Sequence, residues 1–157
     1  MRIVGFFLIL LLTAGQTFAF IGASQEHIET KELSDLPGMS IEGPKYMIGA
    51  YEAKGVKGIA YLNDLRREMA KYGLKNTHHL MVEFKDIFTG ESKEIGSVAV
   101  KVKKPQGMTG RAIKLLDMEG GFGADVTLKE KGTYQFTVGT ELSDGVKRTF
   151  LFNFKNK

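Results

Sequence analysis

The chain has 157 residues, with 22 Lys and Arg, 18 Asp and Glu and a formal net charge of +4, which suits one domain of ordinary globular composition. It contains no cysteine, so disulfides, thiolate metal sites, thiol catalysis and iron–sulfur clusters are excluded. The basic residues are interspersed with acidic ones and are not accompanied by an aromatic platform, and we therefore expect no nucleic acid partner.

The beginning of the chain has the pattern of a secretory signal peptide. Arg2 supplies a positive charge, an almost unbroken apolar run follows at residues 3–14, and small residues lead up to Ala19. The run is shorter than the roughly 20 apolar residues that span a bilayer. We predict a signal peptide at residues 1–19 that is cleaved after Ala19, and hence a periplasmic or secreted protein. The alternative is an uncleaved anchor, and membrane contact is expected only through this segment if it is retained.

The next segment, residues 20–44, is polar with weak periodicity and carries a turn signal at residues 35–38. It predicts an extended N-terminal arm. From residue 45 the pattern changes to that of strands, first at residues 45–53 and then at residues 55–62.

A short helix is predicted after these two strands, within residues 63–76. Leu65, Met69 and Tyr72 recur at helical spacing and would form one apolar stripe. Gly73 can supply the left-handed residue that ends a helix.

After this helix the sequence consists of strands and turns. Phe150, Phe152 and Phe154 share one face of the last strand, which is expected to pair with the strand that carries Tyr134 and Phe136. Seven or so short strands at intervals of roughly ten residues are typical of a β-sandwich. We predict a mainly β fold, namely an antiparallel immunoglobulin-like β-sandwich with one short helix, over residues 45–157.

The candidate site lies in the stretch NTHHLMVEF at residues 76–84, which holds two of the three histidines. Successive side chains of a strand point to opposite faces. His78 therefore lies at the outer end of the apolar set, and His79, Met81 and Glu83 point the other way. The apolar set is Leu80, Val82 and Phe84.

His79 and Met81 are two positions apart, so their Cα atoms are about 6.5–7 Å apart, and an imidazole and a thioether can meet at one ion across that gap. This pair of ligand types suits copper, and the thioether favours Cu(I). A closed site needs a further ligand, for which the candidates are Met69, His78, Met108 and Met118. The alternative is that the methionines fill the core and the histidines are solvated or hydrogen-bonded to a loop.

Other site chemistry finds little support in the sequence. Asp125 and Glu119 supply too few carboxylates for calcium. No nucleophile elbow, zinc-protease motif or phosphate loop is present, and no insertion is long enough to build a catalytic cleft. We therefore expect a binding protein and not an enzyme.

Residues 77–155 contain three segments, HHLMVEFKDIFTGE, VAVKVKKPQG and GGFGADVTLKEKGTYQFTV, followed by a final hairpin. With these segments the chain resembles the YtkA-like family of exported bacterial domains, which are immunoglobulin-type β-sandwiches distantly similar to the CopC-like copper-resistance domains. The resemblance implies a cell-envelope protein connected with copper or other metal handling. The specific hypothesis is a copper site that includes His79 and Met81, completed by His78, Met69 or Met118. The alternative is a protein-interaction or structural accessory module that contacts another envelope protein without metal.

Overall fold

The structure, a computed structural model, describes residues 43–157. The predicted signal peptide at residues 1–19, and the predicted arm up to residue 42, lie outside the described residues. Across this described range, no helix is long and apolar enough to cross a membrane. The elements, in chain order, are β1 (Lys45–Ala53), β2 (Val56–Asp64), α1 (Arg66–Lys71), β3 (His78–Asp86), β4 (Gly96–Lys103), β5 (Ile113–Met118), β6 (Gly121–Val126), β7 (Gly132–Leu142) and β8 (Lys147–Asn156).

The eight strands form one hydrogen-bonded order, β1-β2-β3-β6-β5-β4-β7-β8, and every neighbouring pair is antiparallel. β5 divides its pairing, since residues 113–115 pair with β4 and residues 116–118 pair with β6. This strand therefore connects a first half (β1, β2, β3 and β6) to a second half (β4, β7 and β8). The predicted mainly β, antiparallel fold with one short helix is confirmed, whereas the immunoglobulin-like sandwich stays a prediction.

The core is built by alternate side chains of both halves. Phe150, Phe152 and Phe154 face Val138, Phe136 and Tyr134 across the β7–β8 pair, which confirms the predicted pairing. Since both halves contribute to one core, their other faces are outer faces that look away from it. The core cluster includes Leu62, Leu80, Val82, Phe84, Val98, Val100, Leu115, Phe122, Phe136, Val138, Phe150 and Phe152.

The two terminal strands of this order, β1 and β8, meet through aromatic side chains. Tyr46 lies 6.4 Å from Phe154 between ring centroids, and Tyr51 lies 6.3 Å from Phe150 in an edge-on arrangement. Gly58 in β2 makes room for this packing, because a Cβ there would lie 2.9 Å from the Phe150 ring. Aromatic packing thus joins the ends of the strand order.

The helix is shorter than the predicted apolar stripe. Leu65 and Met69 are each 1% exposed and pack with Leu74. The burial of Leu65 and Met69 agrees with the predicted apolar stripe. The inclusion of Tyr72 in the stripe is wrong, since its side chain is 49% exposed. The helix ends at Lys71, and Tyr72 has the non-helical angles φ −101° and ψ 8°, so the helical period no longer determines where its side chain points.

A buried arginine joins two turns at one end of the sheet. The side chain of Arg148 is 4% exposed and donates to both carboxylate oxygens of Asp144 at 2.9 and 2.7 Å. It also donates twice to the backbone carbonyl of Lys54, at 3.2 and 3.1 Å. Arg148 therefore links the β7–β8 turn to the β1–β2 turn. Its hydrogen bonds, followed by that from the Val146 N–H, lower the pKa of Asp144.

This link predicts a specific acid sensitivity. A carboxyl whose folded-state pKa is lowered stabilises the fold above its unfolded-state pKa, about 3.9 for Asp, and the stabilisation is lost as the pH falls further. Asp144→Asn is therefore expected to lower the free energy of unfolding at pH 7 and to flatten its decline below about pH 5. Urea unfolding from pH 7 to pH 2 measures both effects. Asp117→Asn, at an exposed position, is the control, and parallel pH curves for wild type and Asp144→Asn would contradict the prediction.

Candidate functional site

The strand β3 separates the two histidines onto opposite faces. His78, Leu80, Val82 and Phe84 are buried on the core side, as the alternation predicts. The ring of His78 is 1% exposed, its Nδ1 lies 2.8 Å from the Thr77 hydroxyl, and its edge faces Phe154. Burial lowers the pKa of His78, which favours the neutral ring. The structure therefore places His78 inside the core and not beside His79.

The other candidate ligands are also divided. Met69 packs with Leu65 and Leu74 in the small cluster beneath the helix, which gives it the packing role that methionines commonly have. Met108 lies in the β4–β5 connection and is 62% exposed. The remaining candidates, His79 and Met81 of β3 and Met118 of β5, belong to the two strands that flank β6 in the sheet.

The strand register places these three residues on one outer face of the first half. His79 is paired with Asp125 and Met81 with Gly123 across β3 and β6. Met118 is paired with Gly121 across β5 and β6. Residues two apart on a strand share a face, and residues paired across strands lie on the same face. The side chains of His79, Met81 and Met118 therefore lie on the same face as Gly121 and Gly123 of β6. We refer to these three residues as the His–Met site.

Two donor atoms of the site converge over Gly123. A Cβ built on Gly123 would lie 2.5 Å from Met118 Sδ and 2.6 Å from His79 Nε2, and Cβ contacts under 3.0 Å are essentially never seen. The thioether and the imidazole nitrogen therefore occupy the space that any other residue would fill. Met81 lies alongside, with its Cε 3.9 Å from the Cβ position of Gly120 in the β5–β6 turn.

The orientation of His79 is set by a carboxylate. His79 Nδ1 lies 2.8 Å from Asp125 Oδ1, and His79 is 7% exposed. Because an ionised carboxylate only accepts hydrogen bonds, Nδ1 carries the proton, and in the neutral ring Nε2 keeps its lone pair. That lone pair is on the side of Gly123 and Met118. A carboxylate on the second ring nitrogen is the usual arrangement for a metal-binding histidine.

The residues next to the site are polar, and several of them are charged. Tyr61 is paired with Met81, and Asn63 with His79, across β2 and β3. Lys45 Nζ lies 4.1 Å from the centroid of the Tyr61 ring, and burial, followed by the charge of Glu83, raises the pKa of Tyr61. The face thus offers the imidazole and thioethers as nitrogen and sulfur donors, with the carboxylates of Glu83 and Asp125 beside them.

The donor chemistry of the site is nitrogen and sulfur. Within residues 43–157, no group of three or more His, Asp or Glu side chains has the arrangement to hold a metal ion. The His–Met site instead combines one imidazole with two thioethers, a set that suits soft ions such as Cu(I).

The sequence alone did not identify the roles of Asp125 and Gly123. From the sequence, Asp125 is only one of too few carboxylates for calcium, and no role is predicted for Gly123. One signal was available, since Gly121, Gly123 and Asp125 follow the same two-residue spacing as His79 and Met81. Two such patterns on paired strands form one face, but the register that pairs them is not visible in the sequence.

No family model and no curated protein matches the chain. Two solved structures are similar to it. One is a copper-bound variant of FetP from uropathogenic Escherichia coli strain F11, with 14% identity, a TM-score of 0.58, and 71% of this chain and 97% of that chain covered. The other is a DUF4426 family protein from Pseudomonas aeruginosa PAO1, with 18% identity, a TM-score of 0.50, and 69% and 96% covered. At these identities the likeness shows the fold alone, which agrees in part with the predicted resemblance. The YtkA-like assignment itself stays a prediction.

The convergence over Gly123 leads to a prediction for Gly123→Ala. The added methyl group would force Met118 and His79 out of their positions, and we expect a loss of about 1–3 kcal/mol in the free energy of unfolding, as for overpacking in a well-packed region. Urea unfolding measures the loss, and NMR shifts of the Met118 methyl group and the His79 ring report the displacement. Gly139→Ala in β7 is the matched control, because a Cβ there has nothing within 4 Å. Equal unfolding free energies and unchanged NMR shifts in Gly123→Ala and Gly139→Ala would show that the positions of His79 and Met118 do not require glycine at residue 123.

Proposed function

We propose that this chain is an exported, non-enzymatic protein of the cell envelope that binds copper as Cu(I) at the His–Met site. His79, Met81 and Met118 would be its ligands. The observation that carries the proposal is the convergence of His79 Nε2 and Met118 Sδ over Gly123. Copper is the cargo in this proposal and not a catalyst, so the function is binding or transfer.

The residues of the site fit Cu(I) better than a hard ion. Thioethers bind Cu(I) well, and imidazole suits copper among other transition metals. Asp125 holds the His79 ring in the tautomer that leaves Nε2 without a proton. The absence of a side chain at Gly123 gives both donors access to the same space. Each of these features would favour binding of a soft ion.

Two further observations support an envelope protein that handles copper. The sequence has the pattern of a signal peptide at residues 1–19, which would direct the chain to the periplasm or outside the cell. One of the proteins that share the fold is a copper-bound FetP variant, so the fold itself is compatible with a copper site. An immunoglobulin-like sandwich related to the YtkA-like family is the finer description of the fold in this proposal.

The proposal predicts that His79→Ala and Met118→Leu each weaken Cu(I) binding. Loss of an outer-shell partner usually costs 10–100-fold in metal affinity, and loss of a direct ligand is expected to cost more than about 100-fold. The measurement is competition for Cu(I) against a chromogenic chelator under reducing conditions, with circular dichroism to check folding.

Met69→Leu is the matched control, because Met69 is buried in the small cluster with Leu65 and Leu74 and is not one of the proposed ligands. It is expected to bind Cu(I) within about twofold of wild type, as a volume-conserving change outside the site. Wild-type affinity in a folded His79→Ala/Met118→Leu double variant would refute the copper site.

A second prediction concerns Asp125, which contacts the His79 ring and would not contact the copper ion itself. Asp125→Asn keeps the shape of the side chain but removes the negative charge that holds the Nδ1 proton, and we expect Cu(I) affinity to fall about 10–100-fold. The same competition assay measures the fall. Asp117→Asn removes an exposed carboxylate from the neighbouring β5 and is expected to leave the affinity unchanged. Equal affinities of the two variants would show that the hydrogen bond to His79 has no part in metal binding.

The alternative function, an interaction module without metal, has one observation in its favour. Phe88 and Ile95, in the connection between β3 and β4, are 87% and 73% exposed, and exposed apolar groups of this size are typical of contact surfaces. A chain that folds normally and binds no Cu(I) at the concentrations tested would favour this alternative.

A further inference from the structure

The second half of the sheet carries a cluster of lysines on its outer face. Lys101 and Lys103 of β4 lie two positions apart, so their side chains share that face. Lys114 of β5 is paired with Ala99 of β4, and Lys155 of β8 is paired with Thr133 of β7. All four lysines are exposed. We refer to Lys101, Lys103, Lys114 and Lys155 as the lysine face.

Among residues 43–157, no acidic group pairs with the lysine face. The other charged residues on this outer face are Glu141 and Lys147, whose side chains pair with each other at 3.6 Å. In the part of the chain that the structure describes, none of the four lysines forms an ion pair. The face therefore carries four positive charges distributed over β5, β4 and β8.

The remaining side chains of this face indicate what kind of anion it suits. They are small or neutral, and the large apolar residue among them is Leu151, at 43% exposure. A specific protein interface is expected to have buried aromatic or apolar anchors. Recognition of single-stranded nucleic acid relies on aromatic stacking. The lysine face has neither apolar anchors nor stacking aromatic residues, and its charges are spread over a broad surface. It therefore suits a partner whose negative charge is also spread over a plane. The neutral residues include Ser97, Ala99, Thr133, Gln135, Thr137, Thr149 and Asn153.

We propose that the lysine face binds the surface of an anionic phospholipid bilayer. The attraction is electrostatic, so each lysine near the surface is expected to contribute roughly a fivefold factor in the partition coefficient. It should weaken as salt screens the charges. This contact is additional to the one expected from a retained signal peptide. It is independent of the copper proposal, since it uses the opposite half of the sheet.

The test measures binding of the full chain, as isolated from the envelope fraction, to vesicles of phosphatidylcholine with and without phosphatidylglycerol. Any contribution of the N-terminal segment is common to all variants and cancels in the comparison. Lys101→Gln/Lys103→Gln removes two charges from the lysine face. The control, Lys57→Gln/Lys85→Gln, removes two charges from a pair on the outer face of the first half.

The expected result is stronger binding to the anionic vesicles, a decline with added salt, and a loss of about 25-fold in Lys101→Gln/Lys103→Gln, from fivefold for each lysine. The control variant should stay within about twofold of wild type on the same reasoning. Equal binding to neutral and anionic vesicles would overturn the proposal, and so would equal losses in the two variants. Tighter binding to duplex DNA or to polyglutamate than to the anionic vesicles would also overturn it, because the face would then belong to another class of partner.

Discussion

The whole molecule depends on one constraint, which is that each strand buries alternate side chains in a common core. The buried phenylalanines and aliphatic residues of both halves satisfy this requirement, and burial of their apolar surface is the main force that holds the strands together. Once one face is committed to the core, the register decides which residues meet on the outer faces. The placement of His79 Nε2 and Met118 Sδ beside Gly123 is therefore a consequence of core packing.

Much of the fold follows from local patterns in the sequence. The alternation at β3, the facing phenylalanines of β8 and the turn between β7 and β8 all depend on neighbours in the chain, and the sequence predicts them. The helix shows where local rules fail, since Tyr72 follows the helical spacing but lies just beyond the last helical turn. The order of the strands, and the divided pairing of β5, depend on which distant segments share the core, and no local pattern contains that information.

The site shows the same division. The two-residue spacing places His79 and Met81 on one face and His78 on the other, and the structure has this arrangement. The choice among the remaining ligands requires the positions of β5 and β6, which lie roughly 40 residues further along the chain. His78 and Met69 are the candidates closest to His79 in sequence, but both side chains are buried elsewhere. His78 lies in the core, and Met69 packs with Leu65 and Leu74. The partner that reaches His79 is Met118, which belongs to a distant strand.

Gly123 combines a backbone cost with a gain in space for its neighbours. Glycine within a strand costs about 0.5–1 kcal/mol relative to alanine because it loses more freedom on folding, so backbone entropy alone would favour another residue there. The space is nevertheless filled by a nitrogen and a sulfur from two other strands. Gly123 therefore weakens its own strand but makes room for the imidazole and the thioether, and the copper site that we propose would use that space.

The divided pairing of β5 also has a consequence for how the molecule opens. On one side the halves are joined by the backbone hydrogen bonds of β5. On the other side β1 and β8 meet through the rings of Tyr46, Tyr51, Phe150 and Phe154, and Arg148 adds side-chain hydrogen bonds to the Lys54 carbonyl at one end. Ring contacts can separate one at a time without breaking a hydrogen-bonded ladder, and local openings of low free energy occur where such ladders are missing. The strand order thus has a side-chain seam on one side and a hydrogen-bonded connection on the other. We expect the interior to open first at the seam, while β3, β6 and β5 stay joined by their backbone hydrogen bonds.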